Sequence, residues 1–186
     1  MTEVLVELPP PGGWTVDHLD ALPESHHRYE LTDGALTVSP SPSSLHQAVA
    51  MRLGALLDDL APEPYAVTQA VDIRFARQLT RIPDVLVVRS EEPSRHWFAP
   101  SEVILAVEIE SPGSHIEDRA TKPALYAQYG IPHFWRVELA PARVNAYRIG
   151  ATGRYEIACE GDQLTLTEPF ELDIAVRDML PRWARD

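Results

Sequence analysis

Residues 103–110 of the chain read Val103-Ile104-Leu105-Ala106-Val107-Glu108-Ile109-Glu110. This apolar run predicts a β-strand, in which successive side chains point to opposite faces of the sheet. Glu108 and Glu110 then share one face and emerge where the strand ends. Because acidic side chains in an apolar context are usually either solvated or functional, we take this strand end as the first candidate for a site.

An earlier segment of the chain places another acidic residue at the start of a predicted strand. It reads Ile82-Pro83-Asp84-Val85-Leu86-Val87-Val88, with Asp84 as its one acidic residue. If the two strands pair, Asp84 and Glu108 can hold a hard, oxygen-preferring cation such as Mg²⁺. For either residue alone, a solvated carboxylate at a strand end would be the better interpretation. Together, the two acids suggest a shared metal site, with solvated carboxylates at two strand ends as the alternative.

The N-terminal half carries the patterns of a hairpin, a long helix and several strands. Residues Tyr29–Val38 predict two strand arms about the turn Asp33-Gly34. A helix is predicted from Ser44, which has capping-box spacing to Gln47, as far as Leu60. Three strand-like segments follow at Ala66–Phe75, Pro83–Arg89 and Val103–Glu110.

A second helix and further strands complete the chain. Ser114 and Glu117 form another capping box, and the helix is predicted to end at Tyr129. Pro123 lacks an N–H and disfavours helical angles at the residue before it, which predicts a kink near Lys122. The remaining segments predict a strand at His133–Val137, an antiparallel meander at Val144–Ile149, Tyr155–Cys159 and Leu164–Leu166, and a short helix within Asp173–Trp183.

The order helix, three strands, helix, strand predicts an α/β fold with a mixed sheet flanked by helices and followed by the meander. Residues 1–28 are predicted to form a Pro-rich arm packed on a single domain of residues 29–186. The length of 186 residues suits one domain. Cys159, the one cysteine, excludes an internal disulfide, and neither a signal peptide nor a ~20-residue apolar span is visible, so we expect a cytoplasmic protein without membrane contact.

The charge balance constrains any contact with nucleic acid. Sixteen basic and 28 acidic residues give a net charge of −12, which repels nucleic acid at long range. Contact with phosphates would therefore require a local basic patch. Arg74, Arg77 and Arg81 lie in an acid-free run from Ile73 to Pro83 and are the best candidates. A solvated, arginine-rich hairpin is an equally good interpretation.

Lys122 is the one lysine in a chain that otherwise uses arginine for its basic residues. A single lysine in such a chain indicates a position where a compact point charge is needed and a planar guanidinium would not fit. Chance is the alternative, because an arginine-rich chain can retain a lysine anywhere.

The ordered combination of these motifs resembles the bacterial Uma-two family, whose members are classed as restriction endonucleases. The resemblance runs over roughly residues 25–180. It is carried by Tyr29-Glu30-Leu31-Thr32-Asp33-Gly34, the Ser-Pro loop leading to His46, Arg81-Ile82-Pro83-Asp84, Val107-Glu108-Ile109-Glu110-Ser111-Pro112-Gly113-Ser114, Asp118-Arg119-Ala120-Thr121-Lys122-Pro123-Ala124-Leu125-Tyr126 and Gly130-Ile131-Pro132-His133-Phe134-Trp135.

The resemblance implies a PD-(D/E)XK nuclease-like, restriction-endonuclease-like fold. It implies Asp84 and Glu108 as metal ligands, with the backbone carbonyl of Ile109 as a third, and Glu30 as an accessory acid. The superfamily's lysine normally follows the strand glutamate by two residues, a position that Glu110 holds here. In this family, the lysine is expected on the following helix, which Lys122 matches. Glu110 is then either a third acidic ligand or solvated.

Two residues are weaker candidates. His46 begins the first long helix, where it would line the pocket or serve in capping and packing. Tyr126 follows Lys122 by four residues and would share its helix face or pack in the core. The histidines show no HExxH spacing and the lone cysteine allows no CxxC, so a zinc site is not indicated.

Together, these residues predict a metal-dependent endonuclease that hydrolyses nucleic-acid phosphodiesters, DNA being the favoured substrate, with Mg²⁺ or Mn²⁺. One alternative is a non-catalytic interaction module that retains the fold and binds partners through its acidic surface. Another is a metal-dependent phosphoesterase for small nucleotides, which needs no long basic groove. A homodimer is compatible with the nuclease interpretation, because small nucleases often pair to cut both strands.

Overall fold

The structure is a computed structural model that describes residues 9–23, 27–111, 113 and 116–185. Its α-helices are α1 (Val16–Asp20), α2 (Ser44–Leu60), α3 (Lys122–Gln128) and α4 (Val176–Met179). Single 3-10 turns occupy Pro100–Glu102 and Arg182–Ala184, and a π-helical turn occupies Glu117–Thr121. Its strands are β1 (Arg28–Thr32), β2 (Ala35–Ser39), β3 (Tyr65–Gln69), β4 (Asp72–Ala76), β5 (Leu79–Arg81), β6 (Val85–Arg89), β7 (Trp97–Phe98), β8 (Val103–Ile109), β9 (His133–Leu139), β10 (Ala142–Ile149), β11 (Tyr155–Gly161), β12 (Gln163–Leu166) and β13 (Leu172–Ala175).

A mixed six-stranded sheet forms the centre of the α/β fold, in the order β11-β10-β9-β8-β6-β3. Strands β8 and β9 run parallel, whereas the other neighbours are antiparallel. Apolar side chains of α2 pack with one face, which includes Val85 and Val107. Tyr126 of α3 packs with the opposite face, which includes Leu86 and Ala106. The alternation of side chains along a strand therefore assigns Asp84 and Glu108 to the α3 side.

The predicted hairpin and first long helix are present. Strands β1 and β2 pair antiparallel with Thr32 opposite Ala35, and the turn residues Asp33 and Gly34 both have positive φ. Helix α2 ends at Leu60 as predicted, but its N-cap is one residue earlier than expected. The Ser43 hydroxyl, rather than that of Ser44, accepts the hydrogen bond from the His46 N–H.

The segment predicted as one strand over Ala66–Phe75 is two strands in different sheets. Strand β3 belongs to the central sheet, and β4 pairs with β5 and β7. Ala70 has a φ of +53°, which no extended strand residue adopts, so the chain turns there. Strands β10 and β11 of the expected meander extend the central sheet, whereas Leu164–Leu166 lies in the separate β12–β13 pair.

Lys122 has helical backbone angles, φ −65° and ψ −47°, so the prediction that Pro123 displaces it from the helix is wrong. The π-helical turn explains the difference. The Lys122 N–H donates to the carbonyl of Glu117, five residues earlier, and Pro123 falls in the first turn of α3. Proline is tolerated better at the first positions of a helix than in its interior, and Pro123 lies at such a position of α3.

The N-terminal arm contacts the hairpins through its described part. Trp14 is buried, its N–H donates to the carbonyl of Gly34, and that of Val16 donates to Arg77. Residues 1–8 and 24–26 of the arm lie outside the described residues, as do Pro112 of the predicted turn and the Ser114 cap of the second helix. The described helices include none that combines the length and the apolar character of a membrane-spanning segment.

Candidate metal centre

The pairing of β6 with β8 brings Asp84 and Glu108 to one place in the fold. Val85 lies opposite Val107, and the Asp84 N–H donates to the Val107 carbonyl over 3.0 Å. The strands are antiparallel, so the start of one meets the end of the other. Both carboxylates line a cavity of about 490 Å³, to which the loop of residues 39–43 and the helix beginning at Lys122 also contribute.

Asp84 is held on both of its carboxylate oxygens. Its Oδ2 accepts a hydrogen bond of 2.9 Å from the Ile109 N–H and lies 3.1 Å from Nε2 of His46. Its Oδ1 lies 2.7 Å from Nη1 of Arg28. Burial alone would raise the pKa of Asp84, but hydrogen bonds from His46, Arg28 and the Ile109 N–H lower it below its usual value. Asp84 is therefore an anion before any ligand arrives.

Glu108 is buried with donors on both oxygens. The Tyr126 hydroxyl donates to Oε1 over 2.6 Å and the Lys122 ammonium to Oε2 over 2.7 Å. Burial raises the pKa of Glu108 to about 8, against the lowering effect of Lys122 and with a further increase from the nearby charges of Asp84 and Asp118. The carboxyl thus lies in a dry, negatively charged place where a cation would be favoured.

Lys122 joins two acids of the cavity. Its Nζ lies 2.7 Å from Glu108 and 3.0 Å from Oδ1 of Asp118, one helical turn before it. Burial lowers the pKa of Lys122, but the charges of Glu108 and Asp118 outweigh this and raise the pKa above its ordinary value. Asp118 is buried and also lines the cavity. The sequence patterns did not select it, although its (i, i+4) spacing to the one lysine was visible.

Among the other predicted site residues, Glu30 and His46 line the cavity, whereas Tyr126 does not. Glu30 accepts a hydrogen bond of 2.7 Å from the Ile82 N–H. The ring of His46 places Nε2 3.0 Å from the Ile109 carbonyl as well as near Asp84. Tyr126 is fully buried, does not line the cavity, and donates its hydroxyl hydrogen to Glu108.

Glu110 lies in an ion-pair cluster beside the cavity. Arg119 donates to both of its oxygens, over 2.7 and 2.9 Å, and Nε of Arg136 lies 2.9 Å from Oε1. Arg136 also pairs with Glu138 over 3.0 Å. The alternative of a simply solvated Glu110 is wrong, because the side chain is 4% exposed and neutralised by two guanidinium groups.

The three arginines proposed from the acid-free run have internal partners. Arg81 is buried, and its Nη1 donates to the carbonyls of Leu31 and Thr80. Arg74 pairs with Asp20 and Asp72, and the exposed Arg77 pairs with Asp17. The interpretation as a solvated hairpin therefore does not apply to Arg81, and contact of any of the three with phosphate stays a prediction.

The donor set of the cavity fits a hard divalent cation. Asp84, Glu108 and the Ile109 carbonyl supply oxygen atoms, the ligands that Mg²⁺ and Mn²⁺ prefer. Within the described ranges, no group of three or more His, Cys, Asp or Glu side chains is arranged to hold a metal. Two carboxylates with a carbonyl suit Mg²⁺ nonetheless, since it usually retains several waters and reaches for substrate phosphates.

The mixed six-stranded sheet and its flanking helices form an α/β fold of the nuclease-like class. A family model described as "Putative restriction endonuclease" matches residues 16–177, and the chain belongs to this family, Uma2. The structure is also similar to a crystal structure described as "a putative nuclease belonging to DUF820" from Anabaena variabilis. The TM-score is 0.70 at 19% identity, and the match covers 89% of this chain and 96% of the other, which shows a shared fold. None of the curated proteins compared with the chain matches it significantly.

Proposed function

We propose that the protein is a metal-dependent endonuclease that hydrolyses phosphodiester bonds of nucleic acid, with DNA as the favoured substrate and Mg²⁺ or Mn²⁺ as the cofactor. The observation that carries this proposal is the convergence of Asp84, Glu108 and Lys122, from two paired strands and a helix, on one cavity. Membership of a family described as "Putative restriction endonuclease" supports the same reaction class.

Asp84, Glu108 and the carbonyl of Ile109 would hold the cation. A bound Mg²⁺ or Mn²⁺ supplies Lewis acidity at the phosphate and lowers the pKa of a coordinated water. His46 positions this ligand set, because its Nε2 lies within 3.1 Å of Asp84 and 3.0 Å of the Ile109 carbonyl. The Tyr126 hydroxyl fixes the orientation of the Glu108 carboxylate by donating to Oε1.

Lys122 would orient the attacking water and stabilise the negative charge that develops on the phosphate. The raised pKa of Lys122 keeps it protonated at neutral pH, so it acts as a fixed positive charge rather than as a base. Glu30 lines the same cavity. We assign it the role of an accessory acidic residue whose carboxylate can accept a proton from the water.

The size of the cavity favours a second candidate function, hydrolysis of small nucleotide phosphodiesters. A volume of about 490 Å³ is typical of small-molecule sites. Arg74 and Arg81, which would have extended a basic surface for a polymer, pair within the protein instead. Comparing the cleavage of duplex DNA, single-stranded DNA and a nucleotide diester distinguishes the two functions.

The test combines metal binding with cleavage. Mn²⁺ is titrated by calorimetry into wild type, Asp84→Asn, Glu108→Gln and the control Glu171→Gln, an exposed acid outside the cavity. The first two variants should bind Mn²⁺ more than about tenfold more weakly and lose at least about 100-fold in cleavage rate, while the control matches wild type. Wild type that binds Mn²⁺ but cleaves none of the substrates would overturn the proposed function.

A further inference from the structure

The cavity is lined by a basic side chain that the sequence patterns did not indicate, that of Arg28. Arg28 is the first residue of β1. Its Nη1 lies 2.7 Å from Oδ1 of Asp84. The Arg28 side chain is 27% exposed and that of Asp84 is 4% exposed, so solvent reaches the guanidinium more readily than the carboxylate.

The two carboxylate oxygens of Asp84 have different bonding partners. Oδ2 is bound by the backbone of Ile109 and approached by His46, which are fixed by the central sheet and α2. Oδ1 is neutralised by Arg28, which comes from the β1–β2 hairpin outside the central sheet. A divalent cation that binds through Oδ1 must therefore displace the guanidinium, because two positive charges a few ångströms apart repel strongly in a buried site.

Arg28 differs from the other arginines with buried partners. Arg81 donates to two backbone carbonyls, Arg74 pairs with two carboxylates, and Arg136 pairs with Glu110 and Glu138. Within the part of the chain that the structure describes, the Arg28 guanidinium makes its one hydrogen bond to Asp84. The other N–H groups of Arg28 make no hydrogen bond to the described residues. The side chain can therefore leave Asp84 at the cost of one ion pair.

We propose that Arg28 is an exchangeable counter-ion, which neutralises Asp84 in the metal-free protein and presents its guanidinium to a substrate phosphate once a divalent cation takes its place. The inference rests on the proposed function. A guanidinium suits the second role because its planar fork binds two phosphate oxygens at once. Net charge at Asp84 is balanced in both states, first by the arginine and then by the metal.

The experiment measures Mn²⁺ affinity by calorimetry in wild type, Arg28→Gln, Arg28→Lys and the control Arg148→Gln, an exposed strand arginine whose carboxylate partner lies 3.8 Å away. Arg28→Gln should bind Mn²⁺ about three- to tenfold more tightly than wild type, since its competitor is gone. Arg28→Lys keeps the competing charge and should bind Mn²⁺ as wild type does. Arg148→Gln should be unchanged.

A second measurement follows the anisotropy of a labelled DNA duplex with saturating Ca²⁺. Both Arg28 variants should bind the duplex more weakly than wild type, because neither can form the bidentate phosphate contact. The proposal is overturned if folded Arg28→Gln binds Mn²⁺ no more tightly than wild type, if neither protein binds Mn²⁺, or if Arg28→Lys binds DNA as tightly as wild type. Tighter Mn²⁺ binding by Arg28→Gln, in a protein that cleaves no substrate, supports the exchange at Asp84 while refuting the nuclease.

Discussion

Lys122 donates a hydrogen bond of 2.7 Å to Glu108, although 14 positions separate the two residues in the chain. The strand position two residues after Glu108 is Glu110, whose carboxylate pairs with Arg119 and Arg136. The ammonium therefore reaches the carboxylate from the helix that packs on the sheet, rather than from the strand itself. The π-helical turn before Lys122 and the packing of Tyr126 fix this approach.

Replacing Lys122 with Met should abolish cleavage while leaving a metal site. The substitution removes the positive charge that neutralises Glu108 and Asp118. We expect a loss of at least about 100-fold in cleavage rate, with Mn²⁺ binding equal to or tighter than that of wild type. Calorimetry and a cleavage assay on one preparation measure both. A Lys122→Met protein with unchanged cleavage would remove Lys122 from the mechanism.

Asp118→Asn tests whether this buried acid positions the lysine. Asn keeps the shape but loses the charge that lies 3.0 Å from the ammonium. Because Glu108 still pairs with Lys122, we expect the free energy of unfolding in urea to fall by only about 1–3 kcal/mol. Cleavage should fall by about tenfold with the Mn²⁺ affinity nearly unchanged. A large loss of Mn²⁺ affinity would instead make Asp118 a metal ligand.

Glu110→Gln distinguishes an ion-pair role from metal ligation. The carboxylate accepts two hydrogen bonds from Arg119 and one ion pair from Arg136, so its loss should lower the free energy of unfolding by about 1–2 kcal/mol, given that Arg119 is half exposed. Mn²⁺ affinity should match that of wild type. Weaker Mn²⁺ binding, measured by calorimetry, would contradict this and support Glu110 as a third acidic ligand.

The pKa of Glu108, raised to about 8 by burial, predicts a pH dependence of metal binding. Burial favours the protonated form of Glu108, whereas the Lys122 ammonium favours the anion, so protons compete with a cation for this carboxyl and Mn²⁺ affinity should rise as the pH is raised from 6 to 8. Titrations at pH 7 in buffers of different ionisation enthalpy should show release of protons when the metal binds. Glu108→Gln should release none. The same number of protons released by both proteins would place the proton elsewhere.

Much of this site was predictable from local sequence, because an acidic side chain in an apolar strand is usually either solvated or functional. Asp84 and Glu108 were recognisable for that reason, and the alternation of their strands sets the face on which they lie. Arg28 and Asp118 were not, since charged residues in a hairpin and a helical turn are ordinarily solvated. The position of Arg28 on the cavity and the burial of Asp118 depend on how these elements dock on the sheet.

The environment of Glu110 was hidden for a related reason. Arg136, one of its partners, comes from β9, and the parallel pairing of β8 with β9 places it opposite Glu108. No local pattern encodes a contact between strands that a helix separates in sequence. The break at Ala70 was missed because an alanine with positive φ carries no compositional signal.

Asp72, at the start of β4, should limit the stability of the protein at neutral pH. Burial raises its pKa to about 6, against the lowering effect of Arg74, and its Oδ1 is buried without a hydrogen bond. The folded-state pKa lies above the ordinary value of 3.8, so the stability linked to this group is full below pH 3.8 and is lost as pH rises through 6. Asp72→Asn should therefore be more stable than wild type at pH 7.5, by about 2 kcal/mol.

The measurement is urea unfolding of both proteins at several pH values, with the exposed Asp178→Asn as the control. The difference between Asp72→Asn and wild type should shrink as the pH falls from 7.5 to 4, since wild-type Asp72 is then protonated and neutral like Asn. The control should show no such trend. A difference for Asp72→Asn that stays constant over this range would mean that the carboxylate is not destabilised by burial, and that its pairing with Arg74 compensates fully for the desolvation.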